Sequence, residues 1–252
     1  MILLKNSREI GFMQEAGVIA ARALRIAGEA VEPGVTTWEI DRITRKYIEE
    51  QGAIPSFLGY RGFPATTCIS LNDEVIHGIP SKSRVIKAGD IVSIDVAAIL
   101  HGFHADNAYT YPCGDVSEEA KVLMEATQAS LYKGIDRAQK GGRLGDISSA
   151  VQEHVEALGY SVVREYVGHG VGQSLHEDPS VPNFGTAGRG VRLLPGMTLA
   201  IEPMINAGRA AIEVMPDGWL VKTADGRLSA HFEHTVAITE DGSVCIITDP
   251  EL

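Results

Sequence analysis

The run Ile91-Val-Ser-Ile-Asp-Val-Ala-Ala-Ile99, the turn signal Leu100-His-Gly102 and the return run Phe103 to Tyr111 constrain this chain more than any other stretch. Both runs are rich in apolar and β-branched or aromatic residues, and the glycine between them suits a tight turn, so the segment predicts a β-hairpin. Each arm carries one aspartate, Asp95 and Asp106. With the turn centred between Leu100 and His101, antiparallel pairing sets Asp95 directly opposite Asp106, their Cβ atoms about 4.5–5.5 Å apart. Two carboxylates that close repel unless a proton or a cation lies between them. The hairpin therefore asks for a metal, and its other ligands should lie elsewhere in the chain.

The chain has 252 residues, 44% of them hydrophobic and 22% charged, enough for one substantial core and ordinary for a globular protein. A net charge of -11 argues against a nucleic-acid surface, which needs clustered Lys and Arg. The three cysteines, Cys68, Cys113 and Cys245, form no Cys-x-x-Cys pair, so neither a disulfide framework nor a zinc finger is indicated. The apolar run at Met1 to Leu4 is too short for a signal peptide, and no stretch approaches the roughly 20 apolar residues of a membrane span. A cytoplasmic protein is expected.

Helices are predicted over about 7–30, where Asn6 and Glu9 pair as a capping box, and from Thr36 to just before Gly52, with Glu39 three residues after Thr36. Two more are predicted over about 117–139 and 144–158, with strands after each pair. Two helices followed by strands thus occur twice. Gly34 to Gly52 aligns without gaps on Gly141 to Gly159, setting Ile40 on Ile147 and Glu49 on Glu156. Two related halves, about 1–112 and 113–252, are expected within a single domain, with the active site at their junction.

Three downstream segments complete a ligand set. Gly168-His-Gly-Val-Gly172 places His169 among glycines, Leu199 to Ile205 carries Glu202 inside an apolar strand, and His231 to Ile238 does the same for Glu233. Carboxylates in such strands are excluded from the interior unless paired or metal-bound. Four carboxylates and one histidine suit two divalent cations. Gly168 to Gly172 lacks a phosphate-loop Lys, and His176-Glu177 is not followed by a second histidine four positions on, so neither a nucleotide loop nor a zinc-protease helix is indicated.

In this order the residues resemble the methionine aminopeptidases of the bacterial type I group, M24 metallopeptidases. The strings that carry the resemblance are Cys68-Ile-Ser-Leu-Asn72 with His77-Gly-Ile-Pro80, Ser93-Ile-Asp-Val96, Gly102-Phe-His-Ala-Asp106, Gly168-His-Gly-Val-Gly172 with Leu175-His-Glu177, Ala200-Ile-Glu-Pro203 and Phe232-Glu-His-Thr235. It implies an α+β, pita-bread (creatinase/aminopeptidase) fold: two pseudo-symmetric α/β halves with antiparallel sheet around a dinuclear metal site. Asp95 would chelate one ion, Asp106 and Glu233 would bridge both, and His169 and Glu202 would hold the other. Fe(II), Mn(II), Co(II) and Zn(II) all fit such ligands.

The resemblance further implies removal of the initiator methionine from nascent proteins whose second residue is small. A hydroxide bridging the metals would attack the first peptide bond, since a dinuclear centre lowers the pKa of its water and polarises the carbonyl. Glu202 would transfer protons, His77 would lie near the amine and leaving amide, and His176 would donate to the carbonyl oxygen. Tyr60, Phe63, Cys68, Leu175, Met204 and Trp219 would wall the methionine pocket, a setting that suits a thioether. Substrates would be nascent chains, with transient ribosome contact, no nucleic-acid-binding motif, no membrane association and a monomeric state. His231 stands where glutamine is usual, Phe63 and Leu175 where Tyr and Phe are frequent, and Ala97 and Asn107 where threonines are frequent; no ligand is lost.

Two other readings stay open. A proline-directed relative would share the five ligands but usually carries a large extra N-terminal domain, for which the helix starting near residue 7 leaves no room. A metal-free pita-bread protein that binds partners or RNA would be expected to have lost ligands and to be basic.

Overall fold

The computed structural model describes residues 1–249. Its helices are α1 (Ser7–Glu29), α2 (Thr37–Glu50), α3 (Glu118–Ile135) and α4 (Leu144–Ala157). The capping box at Asn6 is present, with Asn6 Oδ1 accepting from Glu9 N and Glu9 Oε2 from Asn6 N. Thr36 and Glu39 form the same device at the start of α2. Helix α3 ends four residues before the predicted Gln139, because Arg137 and Ala138 donate three residues back, to Gly134 and Ile135, and tighten the chain into turns.

The repeat seen in the sequence extends to hydrogen bonds. Thr37 N donates to Arg84 O and Leu144 N to Val191 O, both at 2.9 Å, while Gly34 N meets Ile86 O and Gly141 N meets Leu193 O. Glu39 and Asp146 each accept from the backbone N–H three residues before them, at Thr36 and Arg143. Asp95 and Glu202 lie equally far along the chain from Gly34 and Gly141, so the two halves each supply one carboxylate from equivalent places.

A nine-stranded sheet runs through both halves, in the order 54–55, 91–100, 103–112, 233–238, 198–201, 168–170, 177–181; strands 67–71 and 244–246 flank the path. The halves meet where Phe103–Pro112 pairs antiparallel with Glu233–Ile238, through Ala108 opposite Glu233. Thr235 fastens this seam: its hydroxyl accepts from Asp106 N at 3.0 Å and donates to Asp106 O at 2.8 Å. Helices α1 and α2 cover one half through Ala20, Leu24, Ile40 and Ile48, packed with Ile69, Ile94 and Val96. Helices α3 and α4 cover the other through Leu123, Leu131, Ile147 and Val155, packed with Leu199, Ile201 and Val236.

The hairpin forms, but its register differs from the expected one. Leu100 pairs with Phe103, so the turn is the two residues His101 and Gly102, with φ of 52° and 79°. Left-handed backbone at both positions gives the turn whose twist matches the flanking strands. Asp95 therefore faces Ala108, and Asp106 faces Ala97. The two aspartates are diagonal neighbours on one face, not directly opposed partners.

Candidate metal centre

Asp95, Asp106, His169, Glu202 and Glu233 converge on one cavity of about 120 Å³ at the seam. Hairpin strands deliver the aspartates, strand Gly168–Gly170 delivers His169, and strand Glu233–Ile238 begins with Glu233. Glu202 sits in the break between strands Thr198–Ile201 and Met204–Asn206, where Asn183 Nδ2 holds its carbonyl at 2.9 Å. Gly168 and Gly170 are demanded by close approach, because a Cβ at either would overlap the carbonyl oxygen of Ala200 or Asp178.

His169 Nδ1 donates to the Gly170 carbonyl at 2.8 Å, which leaves the Nε2 lone pair directed at the carboxylates. That Nε2 lies 3.6 Å from Glu202 Oε1 and 4.0 Å from Asp106 Oδ2. Donor atoms of Asp106, His169 and Glu233 lie within 4.8 Å of one another, as do those of Glu202, His231 and Glu233. Asp95 Oδ1, Asp106 Oδ1, Glu233 Oε1 and His231 Nε2 are buried without a hydrogen-bond partner. Each such orphan costs about 1–3 kcal/mol.

Burial raises the carboxyls of Asp95, Glu202 and Glu233 well above the usual range, and the neighbouring Asp106 raises all three further. Asp106 is raised by burial too, while Asp95 and the Asn107 amide hold it back. Burial lowers His169 and His77 to about 4 and His176 and His231 to about 3, so their imidazoles are neutral at pH 7. Clustered buried carboxyls, neutral imidazoles and orphaned oxygens around one cavity form a donor set that fits divalent metal ions, which would hold the carboxyls ionised.

The cavity walls hold Tyr60, Phe63, Cys68, His77, Leu175, His176 and Trp219. Tyr60 stacks on His176 with ring centroids 5.3 Å apart, and Phe63 meets Trp219 edge-on at 5.0 Å. His77 adopts φ 61°, a left-handed backbone uncommon outside glycine, and lies edge-on to Tyr166 and Trp219. Phe57 and Arg61 also line the cavity, and sequence reasoning missed them. The Gly59-Tyr-Arg-Gly62 string was the available signal for Arg61, since glycines on both sides mark a turn.

Met204 is the exception among the expected wall residues. It does not line the cavity and is fully buried, packed with Val75, Val163 and Val221. Pro203 breaks the alternation after Glu202, and Met204–Asn206 leaves the main sheet to pair with Ser229–His231 and Ser161–Val162.

A larger hollow of about 590 Å³ opens elsewhere, between Met1, Leu144 and Phe184. Its one carboxylate, Asp178, is taken by the N-terminal ammonium.

The fold and this donor set define a metallopeptidase. The model of metallopeptidase family M24 matches residues 11–240. Methionine aminopeptidase 1 of Bacillus subtilis is 54% identical over 96% of this chain and 97% of its own length. The methionine aminopeptidase of Escherichia coli is 46% identical, covering 96% and 92%. The crystal structure of methionine aminopeptidase from Thermotoga maritima superposes with a TM-score of 0.97 at 46% identity, covering 99% of this chain and 100% of that one. Prolidase from Pyrococcus furiosus, 24% identical with a TM-score of 0.78, shares the fold over 98% of this chain and 65% of its own. The chain belongs to family M24, in its methionine aminopeptidase branch, and has the pita-bread fold.

Proposed function

We propose that this chain removes the initiator methionine from nascent polypeptides with a small second residue, acting as one catalytic unit. The observation that carries the reading is the meeting of five candidate metal-donor side chains with the aromatic and aliphatic walls of Phe57, Tyr60, Phe63, Leu175 and Trp219 in one cavity of about 120 Å³. Sites for drug-sized ligands run to about 300–1,000 Å³. The smaller volume suits one side chain at a chain end.

Asp95, Asp106, His169, Glu202 and Glu233 would hold two divalent ions among Fe(II), Mn(II), Co(II) and Zn(II). Bound there, the ions supply Lewis-acid polarisation of the scissile carbonyl and an acidified water. The chain's own groups do the rest. Tyr60, Phe63, Cys68, Leu175 and Trp219, with Phe57, enclose the thioether. The Cys68 thiol is inert there, because burial and the carboxylates push its pKa well up. Glu202 would take the proton of the attacking water and return it to the leaving amide nitrogen. His176 is neutral, so one ring nitrogen carries a proton to donate to the carbonyl oxygen as charge develops there. His77 orients the amine and leaving amide.

His176→Ala is expected to lower kcat by about 10²–10³-fold, the loss typical of one oxyanion donor. KM should change only a few-fold in steady-state assays on a Met-Gly peptide, since the donor acts mainly in the transition state.

The assignment is tested by mass spectrometry after anaerobic incubation with Mn(II) or Fe(II). The panel is Met-Gly-Met-Met, Met-Lys-Met-Met, Ala-Pro-Gly and Met-Pro. Loss of one methionine from the first peptide alone supports the reading; cleavage of only the proline peptides overturns it in favour of a proline-directed enzyme. No helix among the described residues is long and apolar enough to cross a membrane. Action in the cytoplasm, as a monomer in transient contact with the ribosome, belongs to the same proposal.

A further inference from the structure

His231, a donor residue grouped with Glu202 and Glu233, is used by neither the expected ligand set nor the proposed mechanism. It is 2% exposed, and its Nε2 has no hydrogen-bond partner. Strand Ser229–His231 pairs His231 with Met204, two residues past Glu202, and His231 itself lies two residues before Glu233. Its backbone is pinned from behind: His231 N donates to Thr110 Oγ1 at 3.0 Å, and Thr110 Oγ1 donates to His231 O at 2.8 Å. The backbone at His231 is thus fixed, and its ring presents a donor atom within 4.8 Å of one from each glutamate.

The Nε2 atom lies 3.6 Å from Glu202 Oε2. On the other side of the same carboxylate, His169 Nε2 lies 3.6 Å from Oε1. A separation of 3.6 Å is too long for a hydrogen bond. It is close to the spacing of two donors around a zinc-sized ion with bonds of about 2.0–2.2 Å. Glu202, His231 and Glu233 present donor atoms mutually within 4.8 Å, as Asp106, His169 and Glu233 do, and Glu233 belongs to both groups.

We propose that His231 is a sixth metal-binding residue, its Nε2 coordinating the ion that Glu202 and Glu233 hold. This rests on the reading of the cavity as a metal centre. A glutamine at this place would offer only an amide oxygen, since its nitrogen lone pair is delocalised; the imidazole offers a neutral, more strongly donating nitrogen. Imidazole favours zinc, iron and other borderline ions, whereas oxygen donors suit manganese. The second nitrogen therefore shifts this chain's preference away from Mn(II), without adding charge to a carboxylate-rich site.

The test is NMR of the full-length protein, ring-15N-labelled at histidine and loaded with 113Cd(II). Two imidazole Nε2 signals, from His169 and His231, are expected to split by one-bond coupling to cadmium, and His231→Gln is expected to remove one of them. The same variant should weaken Zn(II) binding by about 10-fold or more in competition titrations, while Mn(II) binding changes less. Splitting at His169 alone overturns the proposal and leaves the metal centre standing. Splitting at neither histidine overturns both. The decisive coupling is read in the wild-type protein, so it does not depend on how the variant folds.

Discussion

Asp106→Asn is expected to abolish methionine release, by about 10³-fold or more, because under the proposed function it removes a ligand rather than an outer partner, whose loss costs about 10–100-fold. The same substitution should raise the melting temperature of the metal-free protein. Asp106 is 3% exposed and lies among Asp95, Glu202 and Glu233, whose carboxyls it raises. Without a cation these groups repel one another in a setting that desolvates them. Neutralising one should recover about 1–2 kcal/mol, comparable to one unsatisfied buried group. For a chain of this size that is about 2–8 °C. Asparagine keeps the shape, and the two hydrogen bonds to Thr235 use only the backbone of residue 106.

Saturating metal should reverse the order. Metal at 100 times its dissociation constant stabilises the wild type by about 2.7 kcal/mol, or roughly 5–11 °C, and the variant far less. Scanning calorimetry with EDTA and with Mn(II) reads both effects. A metal-free variant that melts below the metal-free wild type would show that the carboxylates do not strain the empty site.

Lys5→Met should be the most damaging change outside the cavity. Lys5 Nζ lies 2.5 Å from Glu177 Oε2, with both side chains about 5% exposed, and also donates to Leu3 O at 3.1 Å. Glu177 Oε1 in turn accepts from Ser174 N at 3.1 Å, closing the loop that carries Leu175 and His176. Gly196 O anchors the Lys5 backbone at 2.7 Å. Removing the ammonium leaves a buried carboxylate uncompensated, at a cost of about 3–5 kcal/mol, or about 6–20 °C. Displacing the loop by as little as 1 Å should also lower kcat by about 10²-fold. Adding Glu177→Gln should restore much of the stability, because the stranded charge is gone. It should not restore kcat, since the tie from residue 5 to the loop remains cut. Denaturant melts and kinetics of the two single variants and the double variant separate these effects.

Much of the site was legible because strands alternate. The expected hairpin register was wrong by two residues, yet Asp95 and Asp106 still share a face, since a slip of two preserves the side to which each side chain points. Met204 was expected in the pocket from the resemblance alone; after Pro203 the chain leaves the main sheet, and Met204 packs with Val75 and Val163. Capping boxes at Asn6 and Thr36 placed two helix starts, because those bonds are made within four residues.

The sequence by itself determined the α+β class, the duplicated helix pairs, the five donor residues and their order. The helix pairs rest on local periodicity and short-range capping, the candidate donors on strings of adjacent residues, and the α+β class on the resemblance those strings carry. Only the tertiary structure decided that Lys5 holds Glu177 across 172 positions, that His77 takes a left-handed backbone, that Phe57 and Arg61 line the cavity, and that His231 flanks Glu202 opposite His169. Those placements depend on how segments far apart in the chain pack, within a half as well as across the seam, and no local pattern encodes the distance between residues that meet only in the folded chain.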